Sequence, residues 1–205
     1  MENDLEVPII SYDYIKSTAN AFLKEHHPSR EIPIPIEEII EFQMKKDIIP
    51  LPGLHQGFEI DGFTSSDLAS IYVDEFVYTS RPGRYRFTLA HEAGHIVLHK
   101  EIYQKANFKG IKEWKGFINS IYEKNHSWLE YQEYEYGGLV LVPHEHLEKL
   151  TLFYVKSIRE NEISFKENWD FAWDLIAAKL AKAFEVSTQV IEKRLDKEKI
   201  REQYT

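Results

Sequence analysis

The sequence predicts an α+β fold: a small, mostly antiparallel sheet packed on a helix that bears a His-Glu-Ala-Gly-His run, followed by a helical C-terminal part. Three observations lead to this reading. Apolar residues recur at helical spacing early in the chain and again from about Tyr85 onward. Between these regions, from Ile48 to about Tyr78, prolines and glycines separate short runs with strand character. The order is therefore helices, strands, helices, and no internal repeat or low-complexity segment disturbs it.

Each element has its own warrant. Tyr12, Ile15, Ala19, Phe22 and Leu23 make one apolar face of a first helix, which Pro28 and Ser29 end. Pro33 and Pro35 precede Ile36-Glu37-Glu38-Ile39-Ile40, a helix start whose paired glutamates complement the positive end of the helix dipole. Asp61-Gly62 is a hairpin signal between Phe58-Glu59-Ile60 and Phe63-Thr64, and Ser70-Ile71-Tyr72-Val73 reads as a further strand. Residues 80–83 read as a loop. A strong helix is predicted over 85–100, and the lysine-rich stretch after it, with Phe108, Trp114, Phe117 and Ile121, is predicted to be partly helical. Further helices are expected over 128–142, stopped by Pro143, then over 144–158, 169–184 and 188–199.

Composition narrows the function. The chain has 205 residues, 43% hydrophobic and 29% charged, which fits one globular domain or one domain with a helical appendage. Its net charge of −9 is opposite in sign to a surface that grips phosphates, so direct nucleic-acid binding is not expected. There is no cysteine, which excludes disulfides and thiolate metal sites and leaves histidine and carboxylate as ligands. The N-terminus has no basic start followed by an apolar stretch, and no apolar run reaches the ~18 residues of a membrane span. A cytoplasmic protein without membrane association is the expectation.

Residues 91–95, His91-Glu92-Ala93-Gly94-His95, carry the chemistry. On a helix, positions i and i+4 lie about 40° apart around the axis and one turn apart along it, so two imidazoles so placed can reach one ion. Glu92 points in a neighbouring direction, where it can act as general base on a water. The flanks Phe87-Thr88-Leu89-Ala90 and Ile96-Val97-Leu98 are apolar, and polar groups facing the protein interior there need a partner. Gly94 inside a helix costs about 1 kcal/mol relative to alanine, which makes sense if something passes close to the backbone. A third ligand is needed. His99 lies about 12 Å from His91 along the axis, too far to share an ion, and reads as a helix-end residue near the last carbonyls. The better source is the segment from Trp128 to Pro143. There Glu130, Tyr134, Gly137, Gly138 and Leu141 fall on one side of a helix, and the two glycines would let it pack tightly on the His91–His95 helix. Glu130 is the candidate ligand, with Glu133 and Glu135 as rivals. Tyr122, His126, Tyr131 and Tyr154 are candidate oxyanion donors.

On these residues the chain resembles the ImmA/IrrE family of gluzincin-like metallopeptidases. The resemblance covers Arg84 to His99 and Glu130 to Pro143, with Ile71-Tyr72-Val73-Asp74 similar to the strand before the active-site helix, so about half the chain takes part. It implies a zinc endopeptidase with Glu130 as the third ligand. It also implies a small polar residue four positions later that braces a ligating histidine. Here that position is Tyr134, taken as the brace in its place, and Glu133 replaces another small residue. Relatives in the family cleave helix-turn-helix transcriptional repressors and so relieve repression of mobile-element or stress genes, and such a repressor is the expected protein substrate.

The segment from Leu180 to Leu195 has a helix-turn-helix pattern, with Val186-Ser187 as the turn and Val190, Ile191 and Leu195 facing inward. From Glu185 to Glu202 there are five acidic and five basic residues, which gives no net positive field for DNA. The expected organisation is a zincin-like core over 1–160 and a C-terminal helical segment over 161–205 docked on it. The alternative function is a non-catalytic repressor-binding or DNA-binding regulatory protein.

Overall fold

A computed structural model of the chain describes residues 7–121, 123–160 and 169–204. Helix α1 (Tyr12–His26) opens at Ser11, whose side chain accepts from the Tyr14 amide, and buries Ile15, Ala19, Phe22 and Leu23. The short α2 (Ile36–Glu38) runs on as a π-helical turn, Ile39–Gln43. There follow β1 (Asp47–Leu51), α3 (Leu54–Phe58), β2 (Gly62–Thr64), β3 (Ser70–Asp74), α4 (Glu75–Ser80) and α5 (Pro82–Leu98). The remainder is helical: α6 (Lys100–Ala106), α7 (Ile111–Ser120), α8 (Glu123–Leu141), α9 (His144–Glu160), α10 (Trp169–Phe184) and α11 (Thr188–Lys197), closed by a 3-10 turn at Arg201–Tyr204. Among the described residues no helix is long and apolar enough to cross a membrane.

The α+β expectation holds, and the sheet is mixed rather than mostly antiparallel. Its order is β1-β3-β2. β3 runs parallel to β1, with Ile48 opposite Ile71, and antiparallel to β2, with Phe63 opposite Tyr72. Asp61-Gly62 is not a hairpin turn. The residues before it form α3, which ends at Glu59 in a left-handed conformation (φ 60°), and β2 begins only at Gly62. The turn that joins β2 to β3 lies at 65–69, where Ser65 donates to Asp67 at 2.6 Å and accepts from the Ser70 amide. Pro50 lies within β1, which an edge strand tolerates because one side of it has no partner to satisfy. The expected loop at 80–83 is mostly helical. Asp74 caps α4 by accepting from the Phe76 and Val77 amides, and Pro82 sits in the first turn of α5.

The core centres on α5 crossing α8, with α1 also packed against α8. Two glycines set the crossing. A Cβ on Gly94 would lie 3.2 Å from Glu133 Cγ and Tyr136 Cδ1, and one on Gly137 would lie 3.2 Å from the His91 backbone nitrogen. The neighbouring Gly138 does not meet α5 but faces Arg194 of α11. Arg194 is 3% exposed. Its guanidinium donates to the Val142 carbonyl, to Tyr12 Oη at 2.6 Å and to Glu198 Oε1 at 2.9 Å, and Lys16 reaches the same carboxylate at 2.6 Å. These contacts dock α11 on α8 and α1. Val190, Ile191 and Leu195 are buried, as the helix-turn-helix pattern predicts, and Ser187 caps α11.

Candidate metal centre and active site

Helical spacing stacks three histidines along one face of α5. The ring centroids of His91 and His95 are 5.2 Å apart, and those of His95 and His99 are 6.0 Å apart. The glycine-set crossing brings α8 against this face and presents two carboxylates to it. His91 Nε2 lies 3.7 Å from Glu130 Oε2 and 3.8 Å from Glu133 Oε2. One ligand atom from each of His91, His95, Glu130 and Glu133 can be chosen so that all lie within 4.8 Å of one another.

The spacings separate two kinds of contact. Two donors on one tetrahedral ion, each bonded at about 2.0–2.1 Å, stand roughly 3.4 Å apart. The two carboxylate contacts of His91 suit that separation. Glu133 Oε1, by contrast, is 2.7 Å from His95 Nδ1 and 2.5 Å from His99 Nδ1, which is hydrogen-bond range and too close for shared ligation. The N–H directions of the two rings nevertheless miss the oxygen. His95 Nδ1, His99 Nδ1 and both oxygens of Glu133 are thus buried with no aligned hydrogen bond. Buried polar atoms left this way cost free energy, and a cation held among them removes that cost.

Electrostatics point the same way. Burial is the largest cause acting on His91, His95, His99 and Glu133. It holds His91 below the ordinary imidazole range, and it holds His95 well below it. It lowers His99 to about 4, and it pushes Glu133 well above the carboxylate range, with Glu130 and Glu92 adding to the effect. The imidazoles are therefore neutral and ready to donate a lone pair, and Glu133 is short of a positive partner. Neutral imidazole nitrogen with carboxylate oxygen is a donor set that suits a divalent metal.

Glu92 is 4% exposed and points into the same cleft. Burial pushes its carboxyl up to about 8, opposed by a hydrogen bond from Thr64 and reinforced by Glu130. Thr64 Oγ1 donates to Glu92 Oε2 at 2.8 Å. The cleft holds about 300 Å³ and is walled by Gly62, Phe87, Trp114 and Tyr134 as well as by the cluster.

The sequence-predicted residues fall as follows. His91, His95, Glu130 and its rival Glu133 come together, with Glu92 beside them. Glu135 turns away to Lys197, 3.9 Å distant. Tyr134 lines the cleft, but its ring packs on Phe87 and lies beneath Lys193, whose Nζ is 3.9 Å from the ring centre. Among the described residues no hydrogen bond joins its hydroxyl to His91 or His95, and the carboxylate beside His95 is that of Glu133. His99 stands at the end of α5 as expected, but its ring does not turn to the last carbonyls. It is 1% exposed and pairs with Gln132. Of the oxyanion candidates, His126 lies 3.4 Å from Glu130, Tyr131 accepts from Lys197, Tyr154 lies beneath Lys179, and Tyr122 is outside the described residues. Thr64 and Gln132 went unseen in the sequence. Thr64 lies 28 residues before Glu92, and no spacing rule links a strand threonine to a helix carboxylate.

Residues 71–196 match the sequence profile of the IrrE N-terminal-like domain, peptidase family M78. The match takes in β3, both halves of the ligand cluster and most of α11. The search of curated proteins found no match to the chain. With more than half of its length in the profile and the cluster within the matched region, the chain belongs to the ImmA/IrrE family of metallopeptidases.

Proposed function

We propose that the protein is a zinc-dependent endopeptidase of the cytoplasm whose substrate is a helix-turn-helix transcriptional repressor, cut to derepress mobile-element or stress genes. The observation that carries the catalytic part is the convergence of His91, His95, Glu130 and Glu133 within 4.8 Å, with Glu92 on the same cleft. His91, His95 and Glu130 hold the ion. Glu130 is chosen over Glu133 because it is the more exposed carboxylate, 43% against 0%, and faces the open cleft. Glu133 spends one oxygen against the inner faces of His95 and His99 and serves as the brace that the sequence assigned to Tyr134. Two nitrogens and one carboxylate, in a chain with no thiolate, favour zinc. When bound, the ion supplies Lewis acidity that makes water acidic and polarises the scissile carbonyl.

The protein's own groups do the rest. Glu92 takes a proton from the attacking water and delivers it to the leaving amine nitrogen, and its raised basicity suits that exchange. Thr64 holds one oxygen of Glu92 in place. β2 is an edge strand beginning at the cleft wall, a place where an extended peptide can add as a further strand. Arg194 points inward from α11, which supports a docked helix over one that reads DNA. The repressor substrate rests on the family resemblance.

The test is cleavage of candidate helix-turn-helix repressors from the host by purified protein, beside metal analysis. Wild type should carry one zinc and cleave, and cleavage should stop with chelator. Glu92→Gln should keep zinc and lose cleavage. Equal cleavage by wild type and Glu92→Gln, or full zinc in both His91→Ala and Glu130→Ala, would end the proposal.

A further inference from the structure

We infer that Lys193 is a specificity-determining residue: a second cavity, which continues the catalytic cleft past Tyr134, receives an acidic side chain of the substrate, whose carboxylate pairs with the Lys193 ammonium. The inference rests on the metallopeptidase reading above.

The second cavity holds about 650 Å³ and lies between α8 and α11. Glu130 and Tyr134 line both it and the catalytic cleft, so the two spaces meet at these side chains. Tyr134 is the sill between them. Its ring packs on Phe87, with centroids 5.0 Å apart, and Lys193 Nζ stands 3.9 Å from its centre. One turn of α8, about 6 Å, separates Glu130 from Tyr134 along the axis, which sets the ammonium on the order of 10 Å from an ion at Glu130. An extended chain covers that distance in about three residues, at ~3.3 Å each.

The charges of the second cavity decide what it takes. Its other ionic groups already have partners. Glu135 lies 3.9 Å from Lys197, which also donates to Tyr131 at 2.7 Å, and Asp196 lies 3.4 Å from Arg201. Lys193 differs. It is exposed, and among the described residues it makes no ion pair. Its charge acts on Glu135 less than those of Lys197 and Arg194 do. A ring face attracts an ammonium but leaves N–H donors for a further partner. The Tyr131 and Tyr134 rings and the lysine stems supply apolar surface beside that donor. A side chain with a short carbon stem and a terminal carboxylate suits both features, as glutamate does. The catalytic cleft itself is lined by Glu59 and Asp61, of the opposite sign, so the attraction for a carboxylate belongs to Lys193 and not to the cleft.

The experiment uses the full chain, loaded with zinc. Wild type is titrated calorimetrically with tripeptide hydroxamates that carry leucine next to the chelating group and either glutamate or lysine at the third residue. One set is attached through the peptide carbonyl and the other through an N-terminal succinyl group, so the two extend to either side of the ion. In one set the glutamate probe should bind about 3- to 10-fold more tightly than the lysine probe, and the ratio should shrink in about 1 M salt. Lys193→Met, which keeps a stem over Tyr134, should abolish the preference, and Lys193→Glu should invert it. Equal affinity for the two probes in both sets, or a preference that persists in Lys193→Met, overturns the inference. His91→Ala separates the two readings. If the probes bind wild type and not His91→Ala, yet glutamate and lysine bind alike, only the assignment of Lys193 fails. If His91→Ala binds the probes as wild type does, or wild type binds neither set, the metal-site reading fails and the inference falls with it.

Discussion

Replacing Gly137 by alanine probes how closely the two ligand-bearing helices are set. A Cβ there would lie 3.2 Å from the His91 nitrogen, 3.4 Å from the Ala90 carbonyl carbon and 3.5 Å from His91 Cα. Comfortable contacts between carbon atoms fall at about 3.5–4.0 Å, so the α5 backbone has to retreat by roughly 0.3–0.5 Å. All three neighbours are backbone atoms, and no rotamer change can relieve them. Two opposing terms set the magnitude. Alanine gains about 1 kcal/mol over glycine inside a helix, and overpacking costs about 1–3 kcal/mol. The net is a loss of about 0–2 kcal/mol. Gly116 is the control: it is exposed in α7, and a Cβ there meets nothing within 4 Å. Gly116→Ala should stabilise by about 0.5–1 kcal/mol. Urea denaturation of both variants and wild type, metal-free, reads the difference. Because the retreat starts at His91, zinc affinity of Gly137→Ala should also fall, on the order of tenfold, while that of Gly116→Ala should not change. A Gly137→Ala variant stabilised as much as Gly116→Ala, with unaltered zinc affinity, would refute the close-crossing argument.

Other consequences can be measured directly. Gly62→Ala would place a Cβ 2.8 Å from the Tyr72 carbonyl oxygen and 2.8 Å from Thr88 Cγ2, so a loss of about 2–3 kcal/mol and a lower melting temperature are expected, and an unchanged melting curve would contradict this. Thr64→Val keeps the side-chain shape but removes the donor to Glu92; kcat should fall about 10- to 100-fold with KM little changed, and Thr64→Ser should restore most of it, whereas equal kcat in all three would deny Thr64 its role. Burial alone would raise Glu198, but hydrogen bonds from Lys16 and Tyr12 and the Arg194 charge overcome it and hold the carboxyl at about 2 against 4.5 unfolded. The folded value is the lower one, so this stabilisation, up to about 3 kcal/mol, is present above pH ~4.5 and is lost as pH falls toward ~2. Glu198→Gln should therefore lower the urea midpoint at pH ~6 and converge on wild type near pH ~2.5, and a gap that stays constant with pH would contradict the assignment.

What the sequence made legible follows from where the information lies. His91 and His95 could be paired because both sit on one helix, and helical geometry converts spacing into distance without knowledge of the fold. Glu130 and Glu133 could be nominated, since the adjacent glycines announced a close crossing, but the choice between them turns on fractions of a helical turn at the crossing. Thr64 and Gln132 reach the site through tertiary packing, and no local pattern marks them. His99 was rightly placed at the end of α5, but its partner is Gln132 of α8, which no pattern within α5 could show. In the sheet, Pro50 disguised β1 because a proline argues against a strand unless the strand is known to be an edge. The Asp61-Gly62 pair looked like a hairpin because that reading takes Phe58-Glu59-Ile60 as a strand, whereas Phe58 ends a helix.

The contact of Gly137 with the α5 backbone has a thermodynamic consequence. Where side chains separate two helices, thermal rotamer changes let their spacing drift, and a ligand that needs a fixed spacing must suppress that drift when it binds. Here main chain abuts main chain, so the histidines of one helix and the carboxylates of the other stand at a set distance before any ion arrives. Capture of a cation then requires little ordering of the polypeptide, and most of the coordination free energy is free to appear as affinity.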